Sequence, residues 1–136
     1  MLSYLHAPAP LLQEANSEPR KRFHLMERLR KAVKHAAELA AFGDALGDAR
    51  TKLETEAYHA WMNGTLCFEL EHWENALQSF NRAKTIYKRL AEAFSEEIKT
   101  VYVQKVGLLA IFTVSMDERL TDHTYVYTHT DTQTQT

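Results

Sequence analysis

The sequence concentrates its cationic side chains in one short segment. Of its sixteen Lys and Arg residues, seven fall between positions 20 and 34, where Glu27 is the only acidic residue. The segment therefore carries a charge of +6 in a chain whose formal net charge is −2. Side chains at this density are typical of surfaces that contact the phosphates of a polyanion. The candidate binding residues are Arg20, Lys21, Arg22, Arg28, Arg30, Lys31 and Lys34.

Helical spacing places most of these cations on one side of a helix. At about 100° per residue, the basic residues from Arg28 onward lie opposite an apolar side. That apolar side consists of Met26, Leu29, Val33, Ala36 and Ala40. Arg22 is the exception, because it falls on the apolar side and must either extend its guanidinium to solvent or precede the regular helix. Pro19 suits the first turn, and Ser17 or Asn16 suits the cap before it.

Besides a polyanion-binding surface, two other interpretations of the basic segment remain open. A solvated helix face or a nuclear-targeting peptide has the same composition, but a solvated face normally alternates cations with acidic residues three or four positions away. A membrane surface is the third interpretation, and it is disfavoured because the apolar side lacks the Trp that is typical of interfacial helices.

Residues that could perform other chemistry are poorly arranged for it. Glu56 with His59 and Glu69 with His72 form two Glu-x-x-His pairs, the motif with which carboxylate di-iron bundles bind metal. The pairs lie on one predicted helix about 20 Å apart, so they cannot share a site. Cys67 lies in an apolar stripe and is expected in the core. Since no phosphate loop, cysteine pair or catalytic triad is recognisable, we expect no metal, no cofactor, no small-molecule substrate and no enzymatic activity.

The elements that position the basic segment are predicted to be helices. A chain of 136 residues with four Gly and three Pro is long enough for one small domain and leaves its middle open to long helices. We predict an all-α fold, an antiparallel helical bundle, with Asp48 capping the second helix. The predicted helices cover 19–42, 49–70, 73–94 and, after a cap at Ser95, the residues up to Val106, with Gly43–Asp48 and Glu71–His72 as connections.

The second and third helices resemble a single tetratricopeptide repeat, a helical hairpin of about 34 residues. Small residues recur where two helices would approach closely, and bulky residues lie between them. The matching positions are Ala57, Gly64, Trp73, Ala76, Phe80 and Ala83, whereas Asn63, Cys67 and Lys88 depart from the pattern. Because one repeat cannot bury its own faces, we expect the flanking helices to cover them.

The end of the chain has a different composition. Residues 106–114 form a charge-free apolar run, and nine residues are too few to span a membrane, so we expect no membrane insertion. The run should either pack on the domain or be exposed and prone to self-association. Thr121 to Thr136 is Thr-rich and predicted to be disordered. The predicted organisation is a flexible segment (1–12), a helical domain (13–106) and a divergent apolar run with a disordered tail (107–136).

Three segments resemble a known family. EANSEPRKRFHLMERLRKAVKHAAEL, TKLETEAY and FNRAKTIYKRLAEAFSEE are similar to the RNA-binding domain of the 68-kilodalton subunit of the eukaryotic signal recognition particle, from about Gln13 to Gln104. The resemblance implies a tetratricopeptide-like helical domain that binds the particle's 7S RNA, and it gives the seven basic residues a role on the RNA backbone. It also implies other particle subunits as partners and a role in cotranslational targeting. The implied locations are the cytoplasm, the nucleolus and the endoplasmic reticulum.

The resemblance stops on both sides, so we expect an internal piece of the domain with unrelated flanks that lacks the region docking the 72-kilodalton partner. We therefore predict a non-enzymatic RNA-binding component that recognises RNA shape with little base reading, since few exposed aromatic residues are expected beside the cations. Two alternatives remain. The hairpin groove could bind a protein or peptide, or the truncated chain could lack activity.

Overall fold

Four helices form the fold in the computed structural model, which describes residues 18–130, with side chains up to residue 122. The helices are α1 (Pro19–Leu46), α2 (Ala49–Glu69), α3 (Trp73–Ala93) and α4 (Glu96–Thr130). Each helix packs on the next one in the chain. No strand occurs in this range, so the prediction of an all-α bundle is confirmed.

The core lies between α2, α3 and α4. Phe80, Leu90, Tyr102, Leu109 and Met116 are almost completely buried there. The close approach of α2 and α3 depends on small residues, as the repeat pattern predicts. A Cβ atom added at Gly64 would lie 2.7 Å from the ring of Phe80, so only glycine leaves room for this ring.

The connection between α1 and α2 is shorter than predicted. Helix α1 continues past Phe42 to Leu46, because Gly43 is a buried contact site and does not end the helix. A Cβ atom at Gly43 would lie 3.2 Å from two carbon atoms of the Thr55 side chain on α2. The predicted cap at Asp48 is confirmed, since its Oδ1 accepts a 2.8 Å hydrogen bond from the Thr51 amide. Hydrogen bonds from the side chain and the amide of Thr51 hold the pKa of Asp48 below its usual value.

The predicted break between α2 and α3 is also confirmed. The amide of Glu71 donates to the Phe68 carbonyl (3.0 Å), and the amide of His72 donates to the Cys67 carbonyl (2.9 Å). This pair of bonds is the Schellman motif that commonly ends helices. Its central residue must adopt a left-handed conformation, and Glu71 does so with φ of 61°. Glycine would occupy this position without steric cost.

Helix α4 is much longer than predicted. It does not end near Val106, and it includes residues 121–130, for which disorder was expected. The reason is that both the apolar run and the residues after it pack on the hairpin. Phe112 of the run stacks on Phe80 at 5.3 Å, and beyond the run Met116 is buried and the Arg119 guanidinium lies 4.8 Å from the Trp73 ring. Residues 1–17 and 131–136, including the predicted flexible segment and the caps Ser17 and Asn16, lie outside the described range.

The apolar run belongs to a longer apolar stretch than the sequence count suggested. Glu96–Asp122, 27 residues, is long and apolar enough to cross a membrane when judged by length and composition alone. The core helix of a protein can pass the same test when it is mostly buried, but only 17% of the apolar window of α4 is buried. In α4, Leu109 and Thr113 face the core, whereas Ile111 and Val114 on the opposite side are exposed. Both expectations for the run, packing and exposure, therefore hold for different sides of one helix.

Candidate nucleic-acid interface

The orientation of the basic segment is fixed by the packing of α1 on α2. Met26, Ala36 and Gly43 are the buried residues of α1. They follow one side of the helix, and α2 is the helix on which α1 packs. Because this side is fixed over most of the length of α1, the opposite side must face solvent.

Four of the predicted binding residues project from that solvent side. Arg20, Arg28, Lys31 and Lys34 are all exposed. Among the side chains of residues 18–122, none of these four has an ion-pair partner. The distance from the first to the last is about 21 Å along the helix axis. The four cations are therefore available to a ligand without first breaking a protein contact.

Two further cations of the segment are exposed but paired. Lys21 Nζ lies 3.1 Å from Glu18 Oε1, and Arg30 Nη1 lies 2.9 Å from Glu27 Oε1. Both are exposed pairs three residues apart on one helix. Such pairs contribute about 0 to 1 kcal/mol, so a phosphate can replace either carboxylate at small cost.

Arg22 occupies a different environment. Its side chain is half-buried, and Nη2 donates a 3.1 Å hydrogen bond to the carbonyl of Glu69 at the end of α2. Burial raises the pKa of the Glu69 carboxyl, and the nearby Arg22 guanidinium partly offsets that effect. Cations are also favourable at the carbonyl end of a helix. Arg22 thus lies inside α1 and bonds the end of α2, so both sequence expectations, a guanidinium extended to solvent and a place before the regular helix, are wrong. Its role on RNA stays a prediction.

An aromatic residue that the sequence analysis did not select lies beside the basic residues. Phe23 is 61% exposed, and its ring meets the His24 ring edge-on at 5.8 Å. One exposed ring is compatible with the expectation that few exposed aromatic residues accompany the cations. The available signal was its place immediately after Arg20-Lys21-Arg22, on the flank between the apolar and basic sides.

The two Glu-x-x-His pairs serve other purposes in the structure. Glu56 accepts hydrogen bonds from Arg82 of α3, with Nη2 at 2.6 Å, and Glu69 lies beside Arg22. Among the residues whose side chains are described, 18–122, His, Cys, Asp and Glu do not form a group of three or more that could hold a metal. Cys67 packs partly buried against the core, as predicted, and burial raises the pKa of its thiol.

Side chains of α4 contact both helices of the hairpin. The Tyr102 hydroxyl donates to the Glu54 carboxylate of α2, and the Tyr102 ring stacks on Tyr87 of α3 at 6.1 Å. Phe112 lies against Phe68 of α2 and Phe80 of α3. This face of the hairpin, which a bound peptide would occupy in the protein-binding alternative, therefore carries α4.

Known proteins match the part of the chain that carries the basic segment and the hairpin. A family model described as RNA-binding signal recognition particle 68 matches residues 7–111, which includes the basic segment, the hairpin and the first half of α4. The match is wider than the resemblance seen in the sequence, which ran from Gln13 to Gln104. Residues 1–6 and 112–136 lie outside it.

Three similar proteins carry the name signal recognition particle subunit SRP68. The Drosophila melanogaster protein is 48% identical over 98 residues, 71% of this chain and 16% of its own length. The Caenorhabditis elegans protein is 44% identical over 84 residues, 60% of this chain and 14% of its own length. The Dictyostelium discoideum protein is 29% identical over 93 residues, 68% of this chain and 15% of its own length. This chain thus spans about a sixth of the relatives it matches, and it belongs to the RNA-binding signal recognition particle 68 family.

Proposed function

We propose that the chain is a non-enzymatic RNA-binding module whose α1 basic face contacts the phosphates of signal recognition particle RNA. The observation that carries the proposal is the set of exposed, unpaired cations on α1, a helix whose other side is fixed against α2. We define the α1 basic face as Arg20, Lys21, Arg28, Arg30, Lys31 and Lys34. The role predicted for Arg22 is secondary, because its guanidinium also bonds the Glu69 carbonyl.

The charge pattern supports a polyanion ligand over a merely solvated surface. Arg28, Lys31 and Lys34 follow one another at three-residue spacing, where like charges destabilise a helix. This arrangement weakens the isolated helix and gives no compensating ion pair, but it lowers the cost of bringing phosphates to the surface. Backbone contacts of this kind recognise the shape of double-stranded RNA more than its sequence.

The relatives' names extend the proposal to the particle. We propose that the module works with particle RNA and other particle subunits in cotranslational targeting, in the cytoplasm and at the endoplasmic reticulum, with the nucleolus as an additional location. Since this chain spans about a sixth of those relatives, we limit the proposal for this chain to the RNA contact. We propose no membrane insertion, because α4 packs its buried side on the hairpin.

An electrophoretic titration of particle RNA with the full chain tests the proposal. If six phosphates are contacted, raising the salt concentration from 50 to 200 mM should weaken binding by about a thousandfold. No shift of the RNA at 50 mM salt would refute the proposal.

Charge reversal separates RNA binding from the protein-binding alternative. Replacing Arg28, Arg30, Lys31 and Lys34 by Glu should abolish RNA binding. A protein partner held by the hairpin should remain attached to the same variant. Loss of RNA binding together with an unchanged circular dichroism spectrum assigns the effect to the α1 basic face, whereas retained RNA binding would exclude that face.

A further inference from the structure

We propose that Phe23 is a stacking platform for an unpaired RNA base, so that the chain prefers a duplex interrupted by an unpaired nucleotide to a continuous one. This inference rests on the proposed function. It adds a specificity-determining residue and a class of RNA that phosphate contacts alone do not define. Base stacking on aromatic side chains is the common way in which proteins read unpaired RNA nucleotides.

The exposure of Phe23 follows from the packing of its own helix turn. Arg22, the preceding residue, bonds the end of α2, and Met26, one turn later, is buried. The first turns of α1 are therefore held in one rotation about the helix axis, and that rotation turns the Phe23 ring outward. An apolar ring held in water by a fixed helix offers a flat surface that requires no rearrangement before a ligand binds.

The surroundings of Phe23 specify the chemistry of its occupant. Arg20 lies one helical turn before Phe23, Arg30 lies two turns after it, and His24 contacts the ring edge. The Arg20 guanidinium can hold a phosphate on one side while a base lies on the ring. Arg30 can hold one on the other side once the phosphate replaces its exposed partner Glu27. A nucleotide supplies both an anion and a flat apolar surface, so charge complementarity favours it over an apolar protein segment.

Phe42 provides a matched control on the same helix. It is 66% exposed, close to the 61% of Phe23, and it lies about 28 Å away along the helix axis. No Lys or Arg occurs within four residues of Phe42 on either side, and Glu38 and Asp44 are its charged neighbours. Phe42 thus has the exposed ring without the cations.

The experiment compares two RNA hairpins with the full-length chain. One hairpin has a continuous stem, and the other has the same stem with a single bulged 2-aminopurine, an adenine analogue whose fluorescence reports stacking. Stacking of one base strengthens binding by about 5- to 150-fold. The wild-type chain should therefore bind the bulged hairpin at least about fivefold more tightly and change its fluorescence.

Substitutions assign that preference to one ring. Phe23→Leu should reduce the ratio of the affinities for the bulged and the continuous hairpin to nearly one, while leaving the affinity for the continuous stem unchanged. Phe23→Trp should retain the wild-type ratio. Phe42→Leu should behave like the wild type. Circular dichroism checks that each variant is folded.

Several results would overturn the inference. The inference is wrong if the wild type binds both hairpins equally, if the preference survives Phe23→Leu, or if Phe42→Leu loses the preference to the same extent. Each of these results would leave the proposed phosphate binding intact. Binding of neither hairpin at 50 mM salt would overturn the proposed function as well.

Discussion

Neutralising three cations of the α1 basic face should weaken RNA binding without weakening the fold. The change is Arg28→Gln, Lys31→Gln and Lys34→Gln in one variant. All three side chains are exposed and have no acidic partner within the part of the chain that the structure describes. Their removal therefore breaks no ion pair and uncovers no core residue.

The size of the effect follows from counterion release. Each lost phosphate contact lowers the slope of log affinity against log salt by about 0.9 for a duplex and about 0.7 for a single strand. Three contacts lower it by about 2 to 3, which corresponds to a loss of about 100- to 500-fold at 0.1 M salt. The free energy of unfolding should rise by roughly 0.5 kcal/mol, because two repulsive three-residue spacings disappear.

A matched variant on α3 controls for the change in net charge. Lys84→Gln, Lys88→Gln and Arg89→Gln remove the same residue types from a different surface. Fluorescence anisotropy with particle RNA at 50, 100 and 200 mM salt should show the reduced slope in the α1 variant, while the α3 variant keeps the wild-type slope. Urea titration of both variants measures the free energy of unfolding.

Two outcomes would refute the reasoning. If both triple variants lose affinity equally, net charge and not the α1 basic face determines binding. If the α1 variant unfolds, the three cations have a structural role that their exposure does not indicate.

Three further predictions concern single positions. Arg22→Met should lower the free energy of unfolding by about 1 kcal/mol and change the salt slope of RNA binding little. Arg20→Met should leave the free energy of unfolding nearly unchanged and reduce the salt slope. Urea titration and RNA binding at several salt concentrations measure the two quantities. Glu71→Gly should raise the free energy of unfolding by about 1 kcal/mol, because glycine adopts the left-handed conformation without strain, and an unchanged midpoint would contradict this. Asp48→Ala should be less stable than wild type at pH 7. Since the pKa of Asp48 is lowered from 3.8 by hydrogen bonds from Thr51, this difference is present above about pH 3.8 and should disappear as the pH falls through the lowered pKa.

Local chemistry determined the parts of the fold that the sequence predicted. Asp48 caps α2 through its own side chain, and the chain reverses at Glu71 within six consecutive residues. The contact of Gly64 with Phe80 follows a repeat pattern in which both partners are specified. The first two features depend on residues close in sequence. The third depends on the repeat pattern, which specifies the residue types at both contacting positions.

Features that depend on an unspecified partner were not predictable. Glycine commonly marks the end of a helix, and only the contact of Gly43 with Thr55 shows that it lies inside α1. The composition after Thr121 indicates disorder, but the preceding residues Phe112 and Arg119 pack on the hairpin, and α4 continues. For the same reason, periodicity identified the side of α1 that carries Arg22 but not the carbonyl that it binds.

The position of bound RNA can be measured directly by labelling lysine side chains with an amine-reactive reagent and reading the modified residues by mass spectrometry. If the α1 basic face binds phosphates, saturating particle RNA should protect Lys21, Lys31 and Lys34, while Lys84 and Lys88 on α3 remain as reactive as in the unbound chain. Unchanged reactivity of the three α1 lysines in the presence of bound RNA, or protection of the α3 lysines instead, would contradict the account.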